Sequence, residues 1–120
     1  MEDQRKEQLE ALETLAEYNE RVLKNIPILV RELSGERLED TDKFMTGVIN
    51  AINWEVEVVN LTMDVLNEGK VRVSKDEMNE KIVAVGNALK EKDDVLIAQA
   101  FEGLLPVLEN LGAAAKEVLA

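Results

Sequence analysis

The sequence predicts an all-α protein, an antiparallel four-helix bundle with up-down-up-down topology, in one domain covering residues 1–120. Apolar residues make up 46% of the chain but aromatic residues only 3%, so the core would consist mainly of Leu, Val, Ile and Ala. The chain contains two prolines and six glycines. It also has long stretches in which apolar residues recur every three to four positions, as on one face of a helix. The predicted connections are short, which favours antiparallel neighbours.

The first predicted helix covers residues 3–33, and loop 34–40 follows it. Pro27 lies inside this helix, where it removes a backbone donor and displaces the carbonyl of Leu23. We therefore expect a kink near Pro27, or a break into two helices. The apolar stripe of the helix consists of Leu9, Leu12, Ala16, Leu23, Ile26, Val30 and Leu33.

The second predicted helix covers residues 41–68, and Gly69 is its stop signal. Its apolar residues cover well over half of the helix circumference, which requires neighbours on several sides. We therefore predict that this is the central helix of the bundle. The residues on the middle line of the apolar arc are Phe44, Val48, Ala51, Ile52, Val59 and Leu66.

The third and fourth predicted helices cover residues 75–91 and 94–119. Ser74 with Glu77 forms a capping box before the third helix, whose narrow apolar stripe predicts a peripheral position. The segment 92–94 supplies an Asp N-cap for the fourth helix. A kink or break is expected near Pro106. The helix-forming run after Gly112 extends the fourth helix to residue 119.

The composition excludes several chemical classes. The chain has no His and no Cys, which excludes His-based acid–base catalysis, thiol nucleophiles and thiolate metal sites. No glycine-rich phosphate loop occurs, and the acidic loop residues 36–42 lack the ligand spacing of a calcium loop. We therefore expect no catalytic residues, no metal and no cofactor, and predict that the protein is not an enzyme.

The charge and the N-terminal segment bear on partners and location. A net charge of −11, from 25 acidic and 14 basic residues, disfavours nucleic acid and anionic membranes, because both attract positive surfaces. The first residues are too polar for a signal peptide, and no window approaches the roughly 18 apolar residues of a membrane span. A cytoplasmic protein is the expectation.

Three polar residues fall within apolar stripes and form a candidate buried polar site. Glu55 and Thr62 project from the apolar arc of the second helix, and Asn19 lies in the stripe of the first. If these helices form a hairpin that turns near residue 37, Asn19 comes level with Glu55, and we predict that the two approach each other. A polar layer that sets helix register is one interpretation; a ligand-binding carboxyl is the other.

Trp54 and Tyr18 form a second candidate set. The single Trp lies beside the core line of the second helix, and Tyr18 is at the matching level of the first. A partner-facing aromatic anchor is one interpretation. Packing of Trp54 against the third or fourth helix is the alternative.

Two segments carry a resemblance to known proteins. The runs TGVINAINWEVEVVNLTMDVL (46–66) and NALKEKDDVLIAQAFEGLLPVLENL (87–111) resemble a family of small, acidic, all-helical bacterial proteins without an assigned function, and the similarity covers roughly residues 9–111. The chain departs from the family's acidic pattern at Gln99 and Gly103, so no site is carried over there. In general shape the chain is similar to small acidic export chaperones, including flagellar ones.

These observations favour a non-enzymatic helical interaction module, an adaptor or a chaperone-like protein whose groove accepts a partner helix. The motivation is the acidic surface, the wide apolar arcs and the lack of catalytic residue types. The alternative is a small-molecule-binding protein that uses Glu55 and Asn19 between helices. A homodimer that shares leftover apolar surface is compatible with the first hypothesis.

Overall fold

A computed structural model describes residues 2–120, with side chains described from Gln4 onwards. It contains four helices, α1 (Glu2–Leu33), α2 (Thr41–Leu66), α3 (Lys75–Glu91) and α4 (Asp94–Leu119). The predicted all-α four-helix bundle is confirmed. The helix ends lie within two residues of the predicted ones, and the largest difference is the earlier end of α2 at Leu66.

Helices α1 and α4 both continue through their prolines, so the expectation of a break into two helices is wrong. Pro27 and Pro106 are exposed and line the same depression between α1 and α4. Because each proline is on the solvent side, water can reach the carbonyl that loses its helical donor, and the rest of the helix keeps its hydrogen bonds.

The helices form a ring that is open on one side. Helix α1 packs along α2 and along α4, and α3 packs along α4. Between α2 and α3, both of which are fully described, no two Cα atoms come within 8 Å of each other. Helices packed in direct contact have axes about 8–10 Å apart, so the lack of close Cα pairs means that α2 and α3 do not pack directly on each other and leave a gap.

The prediction that the second helix is the central one is therefore wrong. Helix α4 has the most neighbours: it packs against α1 and α3 and also reaches α2. Its residues Phe101, Leu104 and Leu111 are completely buried. Helix α2 packs closely only against α1. Its wide apolar arc thus has an unfilled side, because the helix that should cover it lies too far away.

The peripheral position predicted for α3 agrees with its packing. The helix contacts α4 closely and buries only Met78, Val85 and Ala88. Ser74 caps its start by accepting a hydrogen bond from the Glu77 N–H at 3.2 Å. Lys92, the residue after the helix, has a left-handed conformation, with φ of 54°, which ends the helix and starts the turn into α4.

The connector between α2 and α3 is organised by Asn67. Its side-chain oxygen accepts hydrogen bonds from the backbone N–H groups of Arg72 (2.9 Å) and Val73 (3.0 Å), and its amide donates to the Val73 carbonyl (3.1 Å). Val73 is buried, whereas Val71 is 79% exposed. The Asn110 amide on α4 donates to the Arg72 carbonyl at 2.9 Å. The connector is therefore held to the bundle at its second half.

At the other end of the bundle, ion pairs and a hydroxyl hydrogen bond join α1 and the first loop to the starts of α2 and α4. Arg37 in the first loop binds Asp42 at the start of α2 (2.7 Å) and Asp94 at the start of α4 (2.9 Å). Beneath it, the buried Thr41 hydroxyl donates to the Glu32 carboxylate at 2.7 Å. The Asp93 side chain caps α4 by accepting from the N–H of Val95 at 2.9 Å.

By length and composition alone, α4 passes a test for a membrane-spanning helix, with a mean hydropathy of 1.2 over its most apolar window. The sequence-based expectation that no window comes close was therefore too strict. Core helices of soluble proteins pass the same test, and the apolar face of α4 packs against α1 and α3.

Candidate functional site

Asn19 lies at the contact between α1 and α4. It is 1% exposed, and its amide donates a hydrogen bond to the Leu108 carbonyl at 2.9 Å. Gly112 is directly opposite, since a Cβ atom placed there would come within 2.8 Å of the Asn19 amide nitrogen. The glycine therefore makes room for the asparagine, which anchors α1 to α4.

This contact leads to a prediction about two helical positions. Gly112→Ala should lower the free energy of unfolding by about 1 kcal/mol, although Ala is normally about 1 kcal/mol better than Gly in a helix, because the new methyl group displaces the Asn19 amide from its hydrogen bond. In an Asn19→Ala background the same change should stabilise the protein by about 1 kcal/mol. Urea unfolding of the four proteins of this double-mutant cycle measures both values.

The sign change between the two backgrounds is the informative result. If Gly112→Ala has the same effect with and without the Asn19 amide, the close contact does not control the cost of the substitution. Gly103→Ala is a matched control on α4, because a Cβ atom there has no neighbour within 4 Å. It should stabilise the protein in both backgrounds.

Glu55 is a buried carboxyl without a partner. Its side chain is 1% exposed, and among the described residues no hydrogen bond reaches either of its oxygens. Burial raises the pKa of the Glu55 carboxyl to about 8, because removal from water disfavours the charged form. At neutral pH the group is therefore mainly a neutral acid, with one O–H donor and free acceptor capacity.

The three residues of the predicted polar site are buried but are not joined to one another. Asn19 binds α4, and the Thr62 hydroxyl donates to the Val58 carbonyl of its own helix at 2.7 Å. Across the side chains that are described, no hydrogen bond links Asn19, Glu55 and Thr62. Among the described residues the side-chain oxygen of Asn19 also has no partner, so Asn19 and Glu55 both keep unused hydrogen-bonding capacity.

The aromatic residues Tyr18 and Trp54 contact each other on the outer face of α1 and α2. Their ring centroids are 5.1 Å apart and the rings are tilted by 60°, a favourable arrangement for aromatic pairs. Tyr18 is 38% exposed and Trp54 is half-buried. The contact pairs position 18 with position 54, the register expected for a hairpin that turns near residue 37.

The gap between α2 and α3 forms an apolar groove, with Leu104 of α4 contributing to its lining. Its volume is about 130 Å³. Asn53 is its only polar side chain, and no charged residue lines it. We call this the α2–α3 groove; it is lined by Ile49, Ile52, Asn53, Ile82, Val85, Gly86, Leu89 and Leu104.

Other potential sites have weaker chemistry. Over residues 4–120, no three carboxylate side chains converge in an arrangement that could hold a metal ion. A depression between α1 and α2 is lined partly by Tyr18, Phe44 and Gly47, and it borders the aromatic pair. The sequence did not predict that a groove lies between α2 and α3. The sequence pointed to it only through the apolar arc of α2, which is too wide to be covered by one neighbouring helix.

Comparison with known proteins places the groove and Glu55 within a recognised domain. A family model described as a domain of unknown function (DUF8042) matches residues 10–114. No curated protein and no solved structure matches the chain. The match agrees with the expected resemblance to a family without an assigned function, and it does not bear on the likeness to export chaperones.

Proposed function

The chain belongs to the DUF8042 family, and we propose that it is a helical protein–protein interaction module, an adaptor or chaperone-like protein, whose α2–α3 groove receives an apolar helix. The observation that carries this proposal is the unfilled side of α2. A helix whose apolar arc covers more than half of its circumference normally packs against several neighbours. In this chain one of those neighbours is missing.

The lining of the groove suits a helix from a protein. Ile49 and Ile52 from α2 face Ile82 and Leu89 from α3, so the groove offers branched apolar side chains on both walls. An amphipathic helix can place its apolar residues, repeated every three to four positions, between such walls. Removal of this surface from water would drive the association, at roughly 25 cal/mol per Å² of apolar area.

The groove is small for a drug-sized ligand, whereas a partner helix that packs across it needs to insert only single side chains. Pockets for drug-sized ligands have volumes of about 300–1,000 Å³ and a few converging polar groups. This groove has about 130 Å³ and one polar side chain. Glu55 is not among its lining residues, so the small-molecule alternative, which depends on Glu55 and Asn19, has no connection with the groove.

We propose that the protein acts in the cytoplasm and that its partner is another polypeptide. The net charge of −11 argues against binding to nucleic acid or to an anionic membrane, since such binding depends on a positive surface. No catalytic step is proposed, because a chain without His and Cys lacks the commonest acid–base and nucleophilic groups.

Site-specific photo-crosslinking in cells of the source organism tests this function. A photoreactive amino acid at Asn53 would lie in the groove, and the same amino acid at Asn87, an exposed position on α3, is the matched control. We expect Asn53 to form one dominant polypeptide adduct, mapped by mass spectrometry to an apolar helical segment. Asn87 should form none.

A pair of glycine substitutions shows whether the adduct depends on the groove. Gly86 lines the groove and Gly47 lies on the outer side of α2; a Cβ atom at either position has no neighbour within 4 Å. Gly86→Glu should abolish the adduct because it places a charge among apolar walls, whereas Gly47→Glu should leave it intact. Absence of any groove-dependent adduct would refute the proposed function.

A further inference from the structure

We propose that the helix received by the α2–α3 groove is α2 of a second copy of this chain, so that the protein is a dimer across this surface. The inference rests on the proposed function and names the partner at the same site. Three observations support a second copy: the spacing of apolar residues on α2, the absence of charge beside them, and the distribution of charges along the two rims.

Helix α2 carries a continuous stripe with the spacing of a helix–helix contact. Successive members are separated alternately by four and three residues, the repeat that keeps side chains on one seam between two helices. Ile52, Val59 and Leu66 are buried in the core of their own chain. The others are only half-buried, so one edge of the stripe is open. The α2 stripe is Met45, Ile49, Ile52, Val56, Val59, Met63 and Leu66.

The surface beside the stripe is neutral. Thr46, Asn53 and Asn60 are exposed and follow one another at seven-residue intervals, so they lie in one row along the groove side of α2. Two copies of a chain with a net charge of −11 repel each other wherever their acidic surfaces meet. The stripe and this row contain no acidic residue, and they provide a face on which the copies can approach.

The charges that flank this face are of opposite sign on the two helices. On α3, Lys75 lies two helical turns before the groove residue Ile82, and Lys90 one turn after Gly86, so both are on the groove side. On α2, Glu57 and Asp64 lie in the next row beyond the neutral one. All four side chains are exposed, and none of them is in an ion pair with another described residue.

A two-fold axis between two copies can cover the α2 stripe and the α2–α3 groove of both copies at once. The stripe forms the α2 wall of the groove, because Ile49 and Ile52 belong to both. The same rotation that places α2 of the first copy against the groove of the second therefore places α2 of the second copy against the groove of the first. The lysines on the α3 rim of each copy then face the acidic row of the other. An isologous contact of this kind closes and produces a dimer rather than a fibre.

The test uses the absence of cysteine in the chain, because one introduced cysteine gives one spin label per protomer. With a nitroxide label at Asn60→Cys, double electron–electron resonance should give an intermolecular distance below about 30 Å, since both labels lie within one helix length of the shared contact. A label at Asn87→Cys, on the outer side of α3, should give a longer distance. Light scattering of the unlabelled protein should give twice the chain mass.

The substitutions Gly86→Glu and Gly47→Glu test whether the α2–α3 groove forms the dimer contact. Gly86→Glu should weaken the dimer at least about tenfold, measured by sedimentation, and Gly47→Glu should leave its affinity unchanged; circular dichroism verifies that both variants are helical. A protein that is still a monomer at about 100 µM, where even a weak contact of about −5 kcal/mol would produce dimer, overturns this inference. A dimer in which the Asn87 label is closer than the Asn60 label also overturns it, because the contact then lies elsewhere.

The outcomes separate this inference from the proposed function. A monomer that crosslinks through Asn53 to a helix of a different protein retains the interaction function and refutes the dimer. A dimer that crosslinks through Asn53 to residues 41–66 of the same sequence supports both. A monomer without any groove-dependent adduct refutes both.

Discussion

Raising the pH from about 5 to about 8 is expected to lower the free energy of unfolding by about 4 kcal/mol through Glu55 alone. The pKa of the buried carboxyl is raised to about 8 by desolvation, while in the unfolded chain it is near the usual value of about 4.3. Between these values the folded state binds a proton that the unfolded state does not. The stability contribution is therefore complete below the unfolded pKa and is lost as the pH rises to the folded pKa.

Glu55→Gln is expected to remove this pH dependence, because the amide cannot ionise. The slope of about 1.4 kcal/mol per pH unit should disappear from urea-unfolding curves recorded across this range. Glu57→Gln is the matched control on the same helix, since Glu57 is exposed. It should retain the wild-type slope. An unchanged slope in Glu55→Gln would show that Glu55 is solvated in the folded protein.

Glu55→Leu separates a structural role from a functional one. At pH 8 it should stabilise the protein by at least about 2 kcal/mol, because an apolar side chain of similar size replaces a buried group that must ionise or hold a proton. If the groove-dependent adduct at Asn53 persists in this variant, Glu55 contributes only to the structure. Loss of the adduct in a more stable protein would assign Glu55 to the interaction.

Asn67→Ala is expected to lower the free energy of unfolding by about 3 kcal/mol. The side chain makes three hydrogen bonds with the backbone of Arg72 and Val73, each worth about 1 kcal/mol net. Their loss leaves backbone groups unpaired beside the buried Val73 side chain. Urea unfolding gives the total, and amide hydrogen exchange at Arg72 and Val73 should accelerate in the variant.

Asn87→Ala is the matched control for this prediction. Asn87 is an exposed asparagine on α3 and does not line the α2–α3 groove. Its replacement should change stability by less than about 0.5 kcal/mol. Equal effects at the two positions would mean that the hydrogen bonds of Asn67 do not hold the connector.

The helices and their ends could be predicted from the sequence because the signals are local. The Ser74 cap, the Asp N-cap in the segment 92–94 and the apolar spacing all act within one or two helical turns. The unusual positions of Asn19 and Glu55 were predictable for the same reason, since a polar residue inside an apolar stripe is visible in the spacing alone.

The partners of these residues were not predictable. Position 19 was expected to approach Glu55 on the neighbouring helix of the hairpin. In the structure the Asn19 amide donates to the Leu108 carbonyl beside Gly112, and no described residue makes a hydrogen bond to Glu55. Which of two neighbouring helices receives a side chain depends on helix rotation and tilt, and both are decided by packing across the whole bundle.

The sequence by itself determined that the chain is an all-α bundle, where its helices begin and end, and that α2 has more apolar surface than one neighbour can cover. Only the tertiary structure decided that α4, rather than α2, occupies the centre, and that the uncovered side of α2 faces a groove toward α3. The reason is physical: periodicity specifies which face of a helix avoids water. The distance to the next helix depends on contacts between residues far apart in the chain, and it is that distance which leaves the groove open.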